Sequence, residues 1–432
     1  MKTLVFLTSL GLGVLTSSAF AADVSIKGNV SETVEASDNY FLSNAPSGTT
    51  IKPTTAGTLD VLARTPTTNY LLDTNYSYYN YFGPGAADTS LTWGTPASAT
   101  FSIDHTTDLA KYKIAASWTR VDAATTQLAQ TGVATAHGSI NTYSSNGSVE
   151  YDLGRIDRIS WTAQGSNVSF TDPTQVPYDE VTTMLAWNHE LSALTILTNS
   201  VSFDWFGAED PAQNQLLFWK LMTGVGSELA PYLTFLGHVG VGFVNGYQSG
   251  AAQATPTPVP SGVALFPVGT ANSILADATL TYRLLKDTKV SLTAAQVVAP
   301  TVTGQLQKSD TVGLAVDYTI NSLSNLSFST QFSYLPASQD NAFSTGQTGA
   351  SNFISASVTY GYRLTREWRS NLTYTYAQRN DDTGLARSST VLFSLARDFT
   401  LLGDPTAINQ AEKERTRIRD LQSIGYVFPT FR

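Results

Sequence analysis

The sequence predicts an all-β chain, an antiparallel transmembrane β-barrel of about 18 strands (16–18) with a short helical tail at its C-terminus. Three observations carry that expectation. Only 14% of the 432 residues are charged, although 42% are hydrophobic and 11% aromatic; a soluble domain of similar hydrophobicity is roughly 25% charged. The N-terminus has the layout of an export signal. The C-terminal half alternates apolar and neutral-polar residues over long runs, and soluble strands average about 5–6 residues where tilted membrane strands need about 9–11.

The composition also excludes several classes of function. A chain with 20 Tyr, 20 Phe and 7 Trp is too rich in aromatics to be disordered. Its net charge of −9 argues against binding a phosphate backbone, so no nucleic-acid partner is expected. The absence of cysteine removes thiol catalysis, disulfides and Cys-ligated metals. Beyond the N-terminal segment no run of about 20 apolar residues occurs, which excludes a helical membrane protein.

Taken in chain order, Lys2 supplies a positive start, Leu4 to Leu15 an apolar stretch and Ala19-Phe20-Ala21 a cleavage site. Residues 1–21 are therefore read as a signal peptide, 22–399 as the barrel and 400–432 as a charged periplasmic tail. Strands are expected at 24–36, 57–65, 68–82, 96–105, 109–121, 142–152, 157–170, 179–190, 192–206, 213–224 and 231–245. The segments 57–65 and 213–224 carry the weakest pattern; in the second, Leu216-Leu217-Phe218-Trp219 run together and a short helix is the alternative.

The C-terminal strands are the clearest. Between Asn272 and Leu284, Ile274, Ala276, Ala278, Leu280 and Tyr282 face one way, with Asp277, Thr279, Thr281 and Arg283 opposite. Val312, Leu314, Val316, Tyr318 and Ile320 alternate with Thr311, Asp317 and Thr319, and Leu326, Phe328, Phe332 and Tyr334 with Ser327, Ser329, Gln331 and Ser333. Ile354, Val358, Tyr360 and Tyr362 alternate with Ser355, Ser357, Thr359 and Arg363; Trp368, Leu372, Tyr374 and Tyr376 alternate with Arg369, Asn371, Thr373 and Arg379. Strands at 286–299 and 387–399 complete the set. The apolar face is read as lipid-facing and the Ser/Thr face as lining a wet lumen.

The connections alternate as well. Leu285-Lys286-Asp287, Asn321-Ser322-Leu323 and Thr365-Arg366-Glu367 are short and read as periplasmic turns. Pro300 to Gln305, Pro336 to Ala350 and Asn380 to Ala386 are longer. Gly246 to Thr270 is the longest, and both a solvated external loop and a segment folded inward remain open for it. Closure is placed at Phe399, preceded by Val391, Phe393 and Leu395, with Arg397 as a snorkelling exception. Barrel-assembly machinery is the partner expected at such a terminal strand. Asp404-Pro405 starts a helix over Thr406 to Gln422, rich in Glu, Lys and Arg, that reads as solvated. The alternative terminal strand, Ser423 to Arg432, contains Pro429, which is poorly suited to a central ladder.

No constellation points to catalysis, a metal or a cofactor. His189-Glu190 lacks the second histidine of a zinc-protease helix, and His105, His137 and His238 stand apart. Asp38-Asn39 and Asp381-Asp382 could hold calcium at an outer rim, but single acidic steps in loops read as solvated, and Gly237, Gly240 and Gly242 read as relief for strand curvature. Tyr76, Tyr78, Tyr79 and Tyr81, with Trp118, Trp161, Trp205 and Trp368, suit aromatic girdles. The pore-lining candidates are Arg283, Arg363, Arg369 and Arg379, with Asp277 and Asp317 among them. Two readings stay open: a basic ladder that tunes solute passage, or mutual pairing of charges inside the barrel.

Val30-Ser31-Glu32-Thr33-Val34-Glu35-Ala36-Ser37-Asp38-Asn39-Tyr40 and Tyr362-Arg363-Leu364-Thr365-Arg366-Glu367-Trp368, followed by the Tyr-rich strand to Arg379, resemble β-barrel porins related to the outer-membrane proteins of exosortase and exopolysaccharide loci. The resemblance implies an outer-membrane barrel, with a tie to polysaccharide export. The expected function is thus a non-enzymatic pore in the outer membrane, in contact with its lipid, for small solutes or as an export conduit. A barrel serving polysaccharide assembly and a secreted glycan-active enzyme or binding module are the alternatives.

Overall fold

The computed structural model describes residues 22–88, 93–131, 138–173, 175–209, 214–248, 269–284, 287–300, 306–336, 350–382 and 384–403. The expected signal peptide, the interior of the longest loop, His137, the Leu285-Lys286 part of one turn and the helical tail from Asp404 lie outside the described residues. The strands are β1 (Asp23–Ser37), β2 (Thr50–Arg64), β3 (Thr68–Asn80), β4 (Trp93–Gly94), β5 (Ala97–Thr106), β6 (Ala110–Asp122), β7 (Ser139–Asp152), β8 (Asp157–Phe170), β9 (Tyr178–Ser192), β10 (Thr195–Ala208), β11 (Asn214–Ala230), β12 (Leu233–Gln248), β13 (Gly269–Leu284), β14 (Thr288–Pro300), β15 (Leu306–Thr319), β16 (Ser324–Leu335), β17 (Ser351–Arg363), β18 (Trp368–Asp381) and β19 (Gly384–Leu402). A nine-residue helix, α1 (Ala123–Thr131), follows β6.

Each long strand pairs antiparallel with the next, and the two-residue β4 is a side branch on β3, which continues onto β5. Strand β19 then pairs with β1 from Ile26/Leu402 to Ser37/Thr390, so the sheet closes as a ring of 18 long strands. Closure has a physical purpose. It leaves no edge of unpaired N–H and C=O groups, which hydrocarbon cannot satisfy. The long strands run from 10 to 19 residues, and all 18 expected from periodicity are present, the 57–65 segment as the end of β2 up to Arg64 and the 213–224 segment as β11 from Asn214.

The Leu216–Trp219 run is strand because both faces of β11 are apolar there: Leu216 and Phe218 are buried inside while Trp219 and Leu221 are exposed outside. A correction concerns 380–386. It is a tight hairpin, β18 reaching Asp381 and β19 starting at Gly384, whose φ of +125° suits a glycine in such a turn.

Side chains divide as the alternation requires. Val30, Val34, Leu59, Trp161, Leu185, Trp219, Phe332, Tyr360 and Phe393 are exposed on the outer face. The inner face carries hydroxyl pairs between neighbouring strands, among them Ser117–Ser144 at 2.6 Å, Ser329–Ser357 at 2.8 Å and Thr359–Thr373 at 2.9 Å. Large apolar groups on the outside and hydrogen-bonded polar groups within invert the arrangement of a water-soluble domain.

Candidate functional site: the lumen and its mouth

One rim of the barrel carries short turns, and the other carries the longer connections together with the tight β18–β19 hairpin. Three of these longer connections fold inward over the lumen. The first is 38–49, between β1 and β2. Asn39 holds it: its Nδ2 donates to the carbonyls of Ser43 (2.7 Å) and Arg387 (2.9 Å), and its Oδ1 accepts from Ser43 N. Asp38 accepts from Ser389 N at 2.7 Å. The Asp38-Asn39 step expected to be solvated thus ties the loop to β19.

At its tip Leu42 is 1% exposed and packs with Phe353, Ala386 and, less buried, Leu128 of α1. Leu42 has φ +49°, the left-handed region, which costs about 1–2 kcal/mol for an L-residue. Burying a leucine side chain contributes about 1.5–3 kcal/mol, enough to hold that conformation.

The second is α1 itself. Asp122 caps it, its Oδ1 accepting from Thr125 N at 2.9 Å and its carbonyl from Thr126 Oγ1 at 2.8 Å. Ala123 belongs to the apolar cluster that holds Ile140, Val168 and Phe206, Ala124 to that of Phe41, Tyr79 and Tyr81, and Leu128 packs against the Leu42–Phe353–Ala386 group. The helix therefore touches three separate patches of wall and loop. The third is the 3-10 turn Pro84–Asp88, whose Ala86 lies against the Phe41–Tyr79–Tyr81 group.

A cation is enclosed where these pieces meet. Lys52 Nζ lies 4.6 Å from the Tyr79 ring centroid, 5.2 Å from Tyr40 and 5.7 Å from Tyr81. It donates to Tyr40 Oη at 2.7 Å and is 3.9 Å from Glu35. Burial holds the Tyr40 and Tyr81 hydroxyls well above the ordinary tyrosine range; Glu35 adds to the rise at Tyr40, and at Tyr81 the neighbouring Tyr40 adds to it while Lys52 works against it. Tyr79 and Tyr81 are therefore corrected from girdle to lumen: both are buried, whereas Tyr76 and Tyr78 are exposed outside. Strand alternation separates Tyr79 from Tyr78, and Tyr81 follows the inward turn after β3.

The predicted charges fall at distinct places rather than on one ladder. Arg363 and Arg369 are direct cross-strand neighbours at the short-turn rim, and Arg369 pairs with Asp398 at 3.2 Å. Arg283 sits opposite Lys289, which in turn sits opposite Asp317. Asp277 pairs with His238 at 2.7 Å. Arg379 is at the other rim, buried, with its Nε 2.9 Å from Asp381 and its Nη2 donating to Asn44 of the inward loop.

Sequence reasoning missed further inner-wall groups. Lys220 and Asp204 form a buried ion pair beside Phe218 and Phe206, within an apolar stretch that also holds Leu216 and Met222. Toward the short-turn rim, about 600 Å³ of lumen is lined by Lys113, Asp104, Arg158, Glu150, Asp152 and Asn188. Arg158 spans Glu150 (3.0 Å) and Asp152 (2.7 Å) there. The i, i+2 spacing of Glu150 and Asp152 on one strand face was the available signal.

No protein-family model matches the chain, and no curated protein matches it in sequence. Among solved structures it is similar to OccAB3 of Acinetobacter baumannii, with 10% identity and a TM-score of 0.47 over 88% of this chain and 100% of that one. It is also similar to OccK7 (OpdD) of Pseudomonas aeruginosa, with 9% identity and a TM-score of 0.49 over 88% and 99% of the two chains. A third, the outer membrane protein OpdK of Pseudomonas aeruginosa, gives 10% identity and a TM-score of 0.48 over 88% and 99%.

Proposed function

We propose that the chain is a non-enzymatic outer-membrane barrel that passes small solutes through a lumen narrowed at its long-loop mouth. The observation that carries this is the closed ring of 18 long strands, apolar outside and hydrogen-bonded polar inside. A barrel of 16–18 strands is wide enough to leave an aqueous channel. On this reading the short turns are periplasmic, the mouth is extracellular and the outer face meets lipid.

The inward loop, α1 and the 3-10 turn act as the constriction, held by apolar packing, side-chain hydrogen bonds and a few backbone bonds such as Gly85 N to Thr49 O at 3.2 Å. Below them Arg363 with Arg369, and Arg283 with Lys289, place like charges opposite one another. Such pairs are unfavourable for the sheet, so their placement favours a selective role: they attract anionic solutes into the periplasmic vestibule. A narrowed mouth also favours small solutes over a polymer, which makes polysaccharide export the weaker reading.

Planar-bilayer recording of the purified protein tests this. Discrete conductance steps with a reversal potential displaced toward anions are expected. Absence of conductance in a folded barrel would overturn the pore, and loss of surface polysaccharide on deletion, with unchanged solute uptake, would support the assembly role instead.

A further inference from the structure

Arg397 is a cation on the lipid-facing side of β19. Its register neighbours are Val30 on β1 and Trp368 on β18, both exposed on that side. The guanidinium lies 5.7 Å from the Trp368 ring, and its Nε and Nη2 both donate to one oxygen of Glu367, at 3.2 and 3.0 Å. Among the described residues that carboxylate is the only hydrogen-bond acceptor for the side chain, so the Nη1 edge keeps its donors. Arg366, exposed in the same turn, has no ion pair or hydrogen bond among the described residues. Arg366 and Arg397 thus outnumber the one carboxylate of their turn, Glu367, at the level where girdle aromatics meet headgroups, while the next outward acid, Glu32 of β1, stands opposite Leu395 and is bonded to Thr55. Planar guanidinium donors match the oxygens of a phosphodiester.

A second rim cluster shows what a self-satisfied arrangement looks like. Asp157 accepts from Trp187 Nε1 at 2.9 Å and is bonded to His189 Nδ1 at 2.8 Å. That cluster has an aromatic anchor but ends in a carboxylate, which repels phosphate.

We propose that Arg366, Arg397 and Trp368 form a headgroup seat for one phospholipid of the periplasmic leaflet. Its phosphodiester takes the open guanidinium donors, and its chains lie along Leu395, Phe393 and Leu372, on the β18 side away from Glu32. The proposal rests on the reading of the barrel as membrane-spanning, with short turns on the periplasmic side.

Native mass spectrometry of the full-length barrel, stripped of lipid in detergent and titrated with phosphatidylglycerol or with diacylglycerol of the same chains, tests it. Preferential retention of phosphatidylglycerol is expected, about tenfold weaker in Arg366→Gln/Arg397→Gln, as fits the loss of a charge-assisted hydrogen bond. The control Asp157→Asn should bind as the native chain does. Arg397→Lys, which keeps the charge and loses the planar fork, should fall between. Equal retention of the two lipids, or equal retention by native protein and double variant, overturns the seat. Heat-modifiable gel mobility reports folding of each variant separately. A native chain that forms no barrel in detergent overturns the membrane reading, whereas a folded barrel without lipid preference overturns the seat alone.

Discussion

Tyr79 on β3 donates its hydroxyl hydrogen to Oδ2 of Asp122, the residue whose other carboxylate oxygen caps α1. One buried carboxylate therefore joins the barrel wall to the helix that narrows the mouth. Asp122→Ala removes the cap, worth about 1 kcal/mol, and leaves a buried hydroxyl without its acceptor, worth about 1–3 kcal/mol more. The variant should unfold at lower urea concentration and show larger, noisier conductance steps. Asp122→Asn keeps a good capping side chain and should stay closer to the native protein on both measurements.

The buried pair Lys220–Asp204 gives a second test. The Lys220 side chain is 6% exposed and that of Asp204 11%, and Glu180 lies near enough to feel both charges, so Lys220→Met leaves two carboxylates without their cation inside an apolar stretch of wall. Breaking a buried pair in this way costs about 3–5 kcal/mol. Urea unfolding followed by tryptophan fluorescence should reveal the loss, and Lys220→Met/Asp204→Leu should recover part of it, since Glu180 still lacks the cation. A single variant as stable as the native chain would mean that Asp204 reaches water through the lumen.

These two features differ in how legible they were. The strands were readable because one apolar and one neutral-polar face repeat every second residue for longer than a soluble strand requires. That pattern survived even in β2, where Thr54, Thr55, Ala56 and Gly57 weaken it. The mouth was not readable in the same way. Helix α1 is nine residues with little amphipathic contrast, and its signal was Asp122 before Ala123-Ala124, a cap followed by good helix formers. Asp38-Asn39 looks like any solvated turn until β19 is brought beside it by barrel closure, a contact across some 350 residues. Charge pairing divided likewise. Arg379 with Asp381 is an i, i+2 pair on one strand face and could be read from sequence, whereas Lys220 with Asp204 needs the β10–β11 register.

Glycine positions test the register on the inner wall. Gly240 of β12 faces Met222 of β11, and a Cβ there would fall on the Leu221 carbonyl oxygen as well as on the Met222 side chain. Backbone cannot move aside cheaply, so Gly240→Ala should lower the yield of heat-modifiable barrel. Gly57→Ala is the control, since the nearest atom to its added Cβ is Asn29 O at 3.8 Å. Equal yields from the two variants would mean that β12 is displaced outward from β11.

Alkaline titration tests the packing around Lys52. Tyr40 and Tyr81 titrate higher in the folded chain than the ordinary value of about 10, because burial disfavours their charged forms. The unfolded chain therefore loses these protons first. The stability they permit is fully present below about pH 10 and declines as pH rises beyond it. Tyrosinate absorbance should show a fraction of the 20 tyrosines that ionise only when the mouth or the barrel opens. Lys52→Met should shift that late phase, because it removes the cation lying within 6 Å of these rings.

The last test separates charge in the vestibule from charge that merely balances. Arg369 has a carboxylate partner in Asp398, but Arg363 directly opposite forms no ion pair within 4.0 Å among the described residues. Arg363→Gln therefore removes positive charge without orphaning an acid, and it relieves a like-charge cross-strand contact. Folding should be unchanged or slightly improved, while the reversal potential in a salt gradient should move toward cations. Arg369→Gln removes the same unit of charge and should move it in the same direction by a similar amount, but it also leaves Asp398 without its cation, so it should cost stability where Arg363→Gln does not. Raising the salt should shrink both effects, since exposed charges are screened over about 10 Å at 0.1 M and about 3 Å at 1 M. If neither variant moves the reversal potential at low salt, the solute path does not pass this wall, and the arginines serve the periplasmic rim alone.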